Sequence, residues 1–385
     1  MNTRWALLLC TALLAGCASP PPAPPPVDSL FRDAQFRAPP QPVDTTQLFV
    51  LDASMKRFLD NEVAPRVRAR GPHKALVDML YAKGELKLEY DGSTTRTAAQ
   101  AFEARAGNCL SLVIMTAAFA KALDVPVEYQ SVLVDDVWSR SGNLYLLSGH
   151  VNLTLGHRAS DIRVARNIYR ELTIDFVPPE DLRRAHTAHL DERTIVAMYL
   201  NNRAAESLVS NQLDDAYWWA REAVKQDPRF ISAYNTLGVV YTRAGHAGAA
   251  VAVLEQALAI EPRNTRVLYN LARLQGQIGQ PERAQELLRR LAALEPVPPF
   301  HYFEQGQAAM RNGDYRAARD WFAKEVKRAD YYHEFHFWLA LANFHLGELA
   351  QARKHMTLAV ESSTTSDDQQ RYSAKLNQLR ATRQR

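Results

Sequence analysis

Cysteine is scarce in this chain: three in 385 residues, at positions 10, 17 and 109. Charge of one sign is scarce too. Lys and Arg number 46 and Asp and Glu 42, so composition alone gives no nucleic-acid footprint. The apolar run at 6–15 is about ten residues long, too short to span a bilayer. A glycine-rich phosphate loop is missing. His186-x-x-His189 has a helical i, i+3 spacing but no third ligand nearby, and His333-Glu-Phe-His336 is not the spacing of a helical zinc motif, so no metal site is expected. What is present suits a folded chain. Apolar residues make up 47% and charged residues 23%, and the length fits two or three domains. Disorder and a polytopic membrane protein are both excluded.

The N-terminus reads as an address. Arg4 gives a short positive region, the apolar run follows, and it ends in Leu14-Ala15-Gly16-Cys17. This segment resembles the bacterial lipobox, in which small residues admit the signal peptidase and the next cysteine receives lipid. The alternative is an ordinary secretory signal cut elsewhere. Ala18 is not the aspartate associated with inner-membrane retention, so the resemblance implies a lipid anchor at Cys17 in the outer membrane, facing the periplasm. Residues 1–16 are then the signal peptide. The proline-rich stretch from Ser19 to Pro26, with Pro39, Pro40 and Pro42, predicts an extended, semi-rigid spacer over 17–43; a proline-recognition ligand is the other use of such a stretch. With Cys10 removed and Cys17 lipidated, Cys109 is the one remaining thiol and no intramolecular disulfide can form. A lone thiol in an oxidising compartment is a hazard, which suggests that it has a use.

The C-terminal half repeats with a period of 34. Ala216, Ala250, Ala284, Ala318 and Ala352 form one set; Ala204, Gly238, Ala272, Gly306 and Ala340 a second; Asn211, Gly245, Gly279, Gly313 and Gly347 a third. Small residues let two helices approach closely, and Gly or Asn tolerates the left-handed backbone of a tight turn. Pro228, Pro262 and Pro296 close three units; Asp330 and Thr364 stand in the last two. With Tyr234-x-x-Leu237-Gly238-x-x-Tyr241, the pattern resembles tetratricopeptide repeats, five over 197–366, with a capping helix over 367–385. The resemblance implies an all-α superhelix whose groove binds a protein or peptide. By repeat position the groove candidates are Asn201, Asn235, Arg243, Tyr269, Arg273, Phe303 and Phe337; packing between repeats is the competing role for several of them. Trp218-Trp219 reads as packing, and Arg380, Arg383 and Arg385 as a solvated tail.

Residues 44–195 do not repeat. Helices are predicted at 53–63, capped by Asp52, at 72–82 and at 95–102, with a short strand at 86–90. The run from Cys109 to Leu123 is apolar nearly all round, as in a helix buried in a domain, and Asn108 is a good N-cap. Cys109 then sits in the first turn, where free N–H groups and the helix dipole favour a thiolate. Strands are predicted at 127–134, 143–147, 149–155 and 172–176. Alternation sets His150, Asn152 and Thr154 opposite Val151, Leu153 and Leu155, and sets Thr173 and Asp175 opposite Leu172, Ile174 and Phe176. Two neighbouring antiparallel strands would bring His150 and Asp175 to one polar face. A buried structural cysteine and a surface histidine are the plainer alternatives. Asp161 competes with Asp175, but its context, Arg158 to Arg163, reads as a hairpin loop.

Gly107-Asn108-Cys109-Leu110-Ser111, His150-Val151-Asn152 and Ile174-Asp175-Phe176 resemble the three motifs of bacterial transglutaminase-like domains, some of which precede tetratricopeptide repeats in lipoproteins. The expected fold is an α+β, papain-like transglutaminase-like domain followed by the repeat superhelix. The resemblance makes Cys109 the nucleophile, His150 the general base and Asp175 its orienting carboxylate. The Cys109 N–H is one oxyanion donor candidate, and Gln130 or Trp138 the other, with no motif to choose between them. No cofactor is called for. Two functions stay open: an enzyme acting on amide bonds through a thioester at Cys109, or a non-catalytic envelope scaffold.

Overall fold

The computed structural model describes residues 27–81, 86, 88–133, 138–141, 144–147, 150–156, 172–174, 186–297, 300–363 and 366–381. The expected signal segment, lipobox and Cys17, and likewise Asp161 and Asp175, lie outside these residues.

The first elements pack around one buried helix. Asp52 caps α1 (Ala53–Phe58) by accepting from the Met55 N–H at 2.7 Å. A π-helical turn, Leu59–Val63, links α1 to α2 (Ala64–Arg70), so the helical stretch runs past the expected end. Next come α3 (Pro72–Tyr81) and a two-residue strand β1 (Glu89–Tyr90), which pairs in parallel with β2 (Ala106–Gly107). Between them lies α4 (Ala98–Ala104), opened by a capping box of Thr97 and Gln100. Helix α5 (Cys109–Ala122) has every residue from Cys109 to Ala120 buried, as its all-round apolar sequence requires.

The strands that follow form a small antiparallel sheet. Its order is β7 (Leu172–Ile174), β6 (His150–Leu155), β3 (Val127–Leu133), β8 (His186–Leu190); β4 (Trp138–Ser141) and β5 (Leu144–Leu147) make a separate hairpin. Val151, Leu153 and Leu155 are fully buried in the core that also holds α5. Thr154 pairs with Thr173 and their hydroxyls are 3.0 Å apart, so these residues share a face as the alternation predicts. His186 and His189 lie on strand β8, not on a helix, so the i, i+3 premise fails.

Five helical hairpins follow. They are α6 (Glu192–Val209) with α7 (Leu213–Gln226), α8 (Ile231–Arg243) with α9 (Ala247–Ile260), α10 (Thr265–Gln277) with α11 (Pro281–Leu294), α12 (His301–Arg311) with α13 (Tyr315–Arg328), and α14 (His333–His345) with α15 (Leu349–Glu361). Helix α16 (Ser366–Ala381) caps the end and buries Tyr372, Leu376 and Leu379. The turn within each hairpin has one left-handed residue, at Asn211 (φ 56°), Gly245 (79°), Gly279 (76°), Gly313 (75°) and Gly347 (76°). Gly306 is small for another reason: a Cβ there would lie 2.5 Å from the Phe322 ring. The first three hairpins share one hydrophobic core with the α+β part; the fourth and fifth, with the cap, form two further clusters.

The stretch expected as a spacer departs from that expectation within residues 28–37, which are docked on the first two repeats. Phe36 stacks on Tyr217 with centroids 4.1 Å apart and meets His246 edge-on. Leu30 is buried and its carbonyl accepts from the Tyr241 hydroxyl at 2.7 Å. Asp33 takes two bonds from Arg221, at 2.8 and 2.9 Å, and one from the Tyr217 hydroxyl. Burial pushes the Asp33 carboxyl up, but Tyr217 and Arg221 outweigh it and hold the group below its ordinary value. The Trp218 indole N–H donates to the Arg37 carbonyl at 2.8 Å. The physical reason is composition: residues 28–37 hold no proline but carry Leu30, Phe31 and Phe36.

Phe36→Ala should weaken this docking by about 3 kcal/mol. Limited trypsin digestion would then cut at Arg32 and Arg37 well before the repeats. Equal resistance in the variant and the unaltered chain would show that the strap does not depend on the stacked ring.

Candidate functional site

The start of α5 is capped by Asn108 and tied to the segment before it by a small set of hydrogen bonds. The Asn108 Oδ1 accepts from the Ser111 N–H at 2.9 Å and from the Ser111 hydroxyl at 2.8 Å. The Asn108 Nδ2 donates to the Thr95 hydroxyl at 2.8 Å, and the Arg96 N–H donates to the Ser111 hydroxyl at 2.8 Å. The Asp91 N–H closes the ring by donating to the Gly107 carbonyl at 3.1 Å, and Asp91 pairs with Arg96 at 2.8 Å. Segment 90–97 is therefore fastened along the helix start. Thr95, Asn108 and Ser111 are all buried.

Cys109 is a free thiol, 6% exposed, at the first helical position. The Tyr90 hydroxyl lies 3.9 Å from its sulfur. Sequence reading missed Tyr90 at the sulfur; the signal was its place at the end of a short strand whose partner ends two residues before the cysteine. His150 opens β6, opposite Val132 of β3, and its side chain lies outside the described residues. Of the two oxyanion candidates, Gln130 is on β3 opposite Asn152 and donates to the Thr154 hydroxyl at 3.1 Å, so its amide is engaged within the sheet. Trp138 begins β4, with its side chain likewise outside the described residues.

The groove candidates separate into kinds. The Asn235 Oδ1 accepts from Asn270 at 2.8 Å, joining neighbouring repeats. Arg243 is exposed and reaches back to the Leu208 carbonyl at 2.7 Å. Arg273, also exposed, lies over the Tyr269 ring at 5.8 Å. Asn201 is 7% exposed, with no partner for its buried Oδ1 among the described residues. Phe303 departs from the groove expectation: it is fully buried because its ring packs against those of Phe300, Phe322 and Phe335, with the Phe322 ring filling the space beside Gly306. Phe337 stacks on Tyr372 of the cap at 4.8 Å, beneath Arg371.

Two histidines of the fifth repeat form a pair. His336 and His355 are stacked with their Nδ1 atoms 3.1 Å apart, and the His336 Nε2 is 2.8 Å from the Asp330 carbonyl. A carbonyl only accepts, so the His336 Nε2 carries its proton and its Nδ1 accepts from His355. Burial lowers both groups; the charge of His336 adds to the effect on His355, which is pushed down to about 4. Among the described residues no three His, Cys, Asp or Glu are grouped to hold a metal ion, and no helix is long and apolar enough to cross a membrane.

Residues 241–304 match the family model described as tetratricopeptide repeat. Among solved structures, pilF of Pseudomonas aeruginosa is similar at 19% identity over 49% of this chain and 94% of its own, with a TM-score of 0.30. TTC0263, a tetratricopeptide-repeat protein of Thermus thermophilus, is similar at 18% identity over 47% and 98%, with a TM-score of 0.32. YrrB, described as a tetratricopeptide-repeat protein with an unusual peptide-binding site, is similar at 19% over 46% and 92%, with a TM-score of 0.25. No curated protein matches the chain.

Two outcomes follow from the geometry. A Cβ at Gly107 would lie 2.7 Å from the Ser111 Cβ, on a helix that cannot move aside. Gly107→Ala should therefore destabilise the α+β part by about 1–3 kcal/mol in denaturant titration; an unchanged midpoint would mean that the helix start gives way. In the fifth repeat the folded histidines bind protons less readily than the unfolded chain. Stability from this pair is present above about pH 6.5 and is lost as pH falls toward 4. The melting temperature of His355→Gln should fall less over that window than that of the unaltered chain.

Proposed function

We propose that the chain is a lipid-anchored thiol enzyme of the bacterial cell envelope, held by Cys17 in the outer membrane and facing the periplasm, whose tetratricopeptide repeats bind a protein or peptide and whose transglutaminase-like domain acts on amide bonds. The repeats are the firm part. Stacked helical hairpins of this kind generally present an extended binding surface to a protein or peptide. The observation that carries the catalytic reading is the placement of Cys109. It opens a buried helix capped by Asn108, which Ser111 and Thr95 hold in place. First-turn N–H groups favour the thiolate and can also receive an oxyanion.

In this reading His150 takes the thiol proton as Cys109 sulfur attacks the carbonyl carbon of an amide. The tetrahedral adduct collapses to a thioester, and the amine leaves with the proton returned by His150. Water, again deprotonated by His150, then attacks the thioester, releases the acid and restores the thiol; an amine in place of water gives transfer. Asp175 orients the imidazole. The resemblance and the β6–β7 pairing support this assignment.

A second reading, a non-catalytic scaffold, is favoured by the burial of Cys109, 6% exposed. Labelling with a thiol-directed electrophile at neutral pH separates the two. For the enzyme, Cys109 labels faster than free cysteine, and His150→Ala and Asp175→Ala slow turnover about 100-fold or more. Labelling no faster than free cysteine and indifferent to His150→Ala would leave the scaffold. In that case Cys109→Ala keeps partner binding while Arg273→Glu loses it.

A further inference from the structure

The helix start is not secured within its own domain alone. The Thr95 N–H donates to the Glu206 Oε1 at 2.6 Å, and Glu206 belongs to α6, the first helix of the repeat array. Arg203, one turn earlier on α6, pairs with the other Glu206 oxygen at 3.1 Å and also reaches the Thr95 carbonyl at 3.5 Å. Its guanidinium lies over the Trp219 ring of α7 at 5.5 Å. On the other side, the Thr95 hydroxyl takes the Asn108 amide, and Asn108 directly precedes Cys109. One residue, itself 1% exposed, thus joins the array to the cap of the thiol helix.

We propose that Glu206 is a positioning residue for the Cys109 site: through Thr95 it holds segment 90–97 against Asn108, and so couples the first repeat to access at the thiol. The idea rests on Cys109 being the reactive group, but the linkage itself is independent of any catalysis. The segment that Glu206 anchors also carries Tyr90, whose hydroxyl sits at the Cys109 sulfur. The Asp91–Gly107, Arg96–Ser111 and Thr95–Asn108 bonds all lie on the same short stretch. Losing the anchor on the repeat side should let this stretch lift, loosening the cap and uncovering the sulfur together. A hydrogen bond to an ionised acceptor is among the stronger single contacts, so its loss shifts such an opening by about tenfold. Anything that moves α6, such as a partner seated on the array, then reaches the thiol by the same route.

The test uses the full chain, with hydrogen exchange and iodoacetamide alkylation read by mass spectrometry at the Cys109 peptide. Glu206→Ala should speed exchange in 90–97 and in 108–112, and raise Cys109 alkylation about tenfold. Glu206→Gln keeps an acceptor for the Thr95 N–H and should restore both to the unaltered values. Thr95→Val severs the link on the Asn108 side; it should speed exchange in 108–112 alike, and combined with Glu206→Ala should add little. The proposal is overturned if 108–112 exchanges as before in Glu206→Ala, or if the Gln variant behaves as Ala. Should the Ala variant fail to fold, an unchanged 108–112 in Thr95→Val overturns it equally. Slow alkylation unaffected by His150→Ala would instead count against the enzyme reading and leave this linkage standing.

Discussion

A helix buried around its whole circumference can satisfy its ends only with groups that are buried too. Helix α5 imposes that constraint on the rest of the α+β part. Its side chains from Cys109 to Ala120 have no solvent face, so the Ser111 N–H of its first turn takes a protein acceptor in place of water. Asn108 supplies the acceptor, and Asn108 in turn needs an acceptor for its own amide, which Thr95 provides. Thr95 is buried as well and passes the demand on to Glu206. Each step is forced by the cost of an unpaired polar group in the interior. A thiol placed at the head of that helix inherits these fixed surroundings, with the Tyr90 hydroxyl 3.9 Å from its sulfur.

The same economy joins the two parts of the chain. Strand β8 ends at Leu190, and α6 begins at Glu192, so no linker separates sheet from array. The Glu192 carboxylate accepts from the Tyr129 hydroxyl at 3.1 Å and pairs with Lys121 at the end of α5. The first three repeats share a core with the α+β part, whereas a new cluster begins at Phe300, which sits at a positive φ of 61° beside the proline-rich join after α11. Repeat stacks gain stability mainly from neighbours. The first repeats therefore lean on the domain before them, and the last two lean on each other and on the cap.

Much of this was legible in the sequence because it is local or periodic. The 34-residue spacing marks both the turns and the close approaches, and the hairpins fall where it sets them. Asn108 and the apolar run after it announce a capped, buried helix, and alternation in 150–155 and 172–174 gives the shared face of Thr154 and Thr173. The strap at 28–37 was hidden by the prolines on both sides, although Leu30, Phe31 and Phe36 are unusual for a solvated spacer. Phe303 was hidden by periodicity itself. It occupies the repeat position of Asn201 and Asn235, and its burial comes from ring contacts with Phe300, Phe322 and Phe335 that a 34-residue spacing does not encode. The bond between Thr95 and Glu206 spans 111 positions, and no local pattern encodes a contact of that range. The His150 side chain and Asp175 lie outside the described residues, so the polar face expected for them is a matter of sequence parity alone.

A carboxylate is a costly choice for the join between α6 and segment 90–97, since packed apolar groups would hold two surfaces together without desolvating a charge. Burial raises the Glu206 carboxyl above its ordinary value even though the Thr95 bond and Arg203 pull it down, so desolvation is the larger effect. What the carboxylate adds is direction. An apolar contact tolerates sliding, whereas an oxygen that must meet one N–H fixes the position of Thr95 along the chain, and with it the hydroxyl that Asn108 needs. Arg203 holds the second oxygen and lies over Trp219, so the register is fixed from the repeat side as well. A join selected for strength alone has no use for such placement; a join that must keep a helix start in one position relative to a repeat array does.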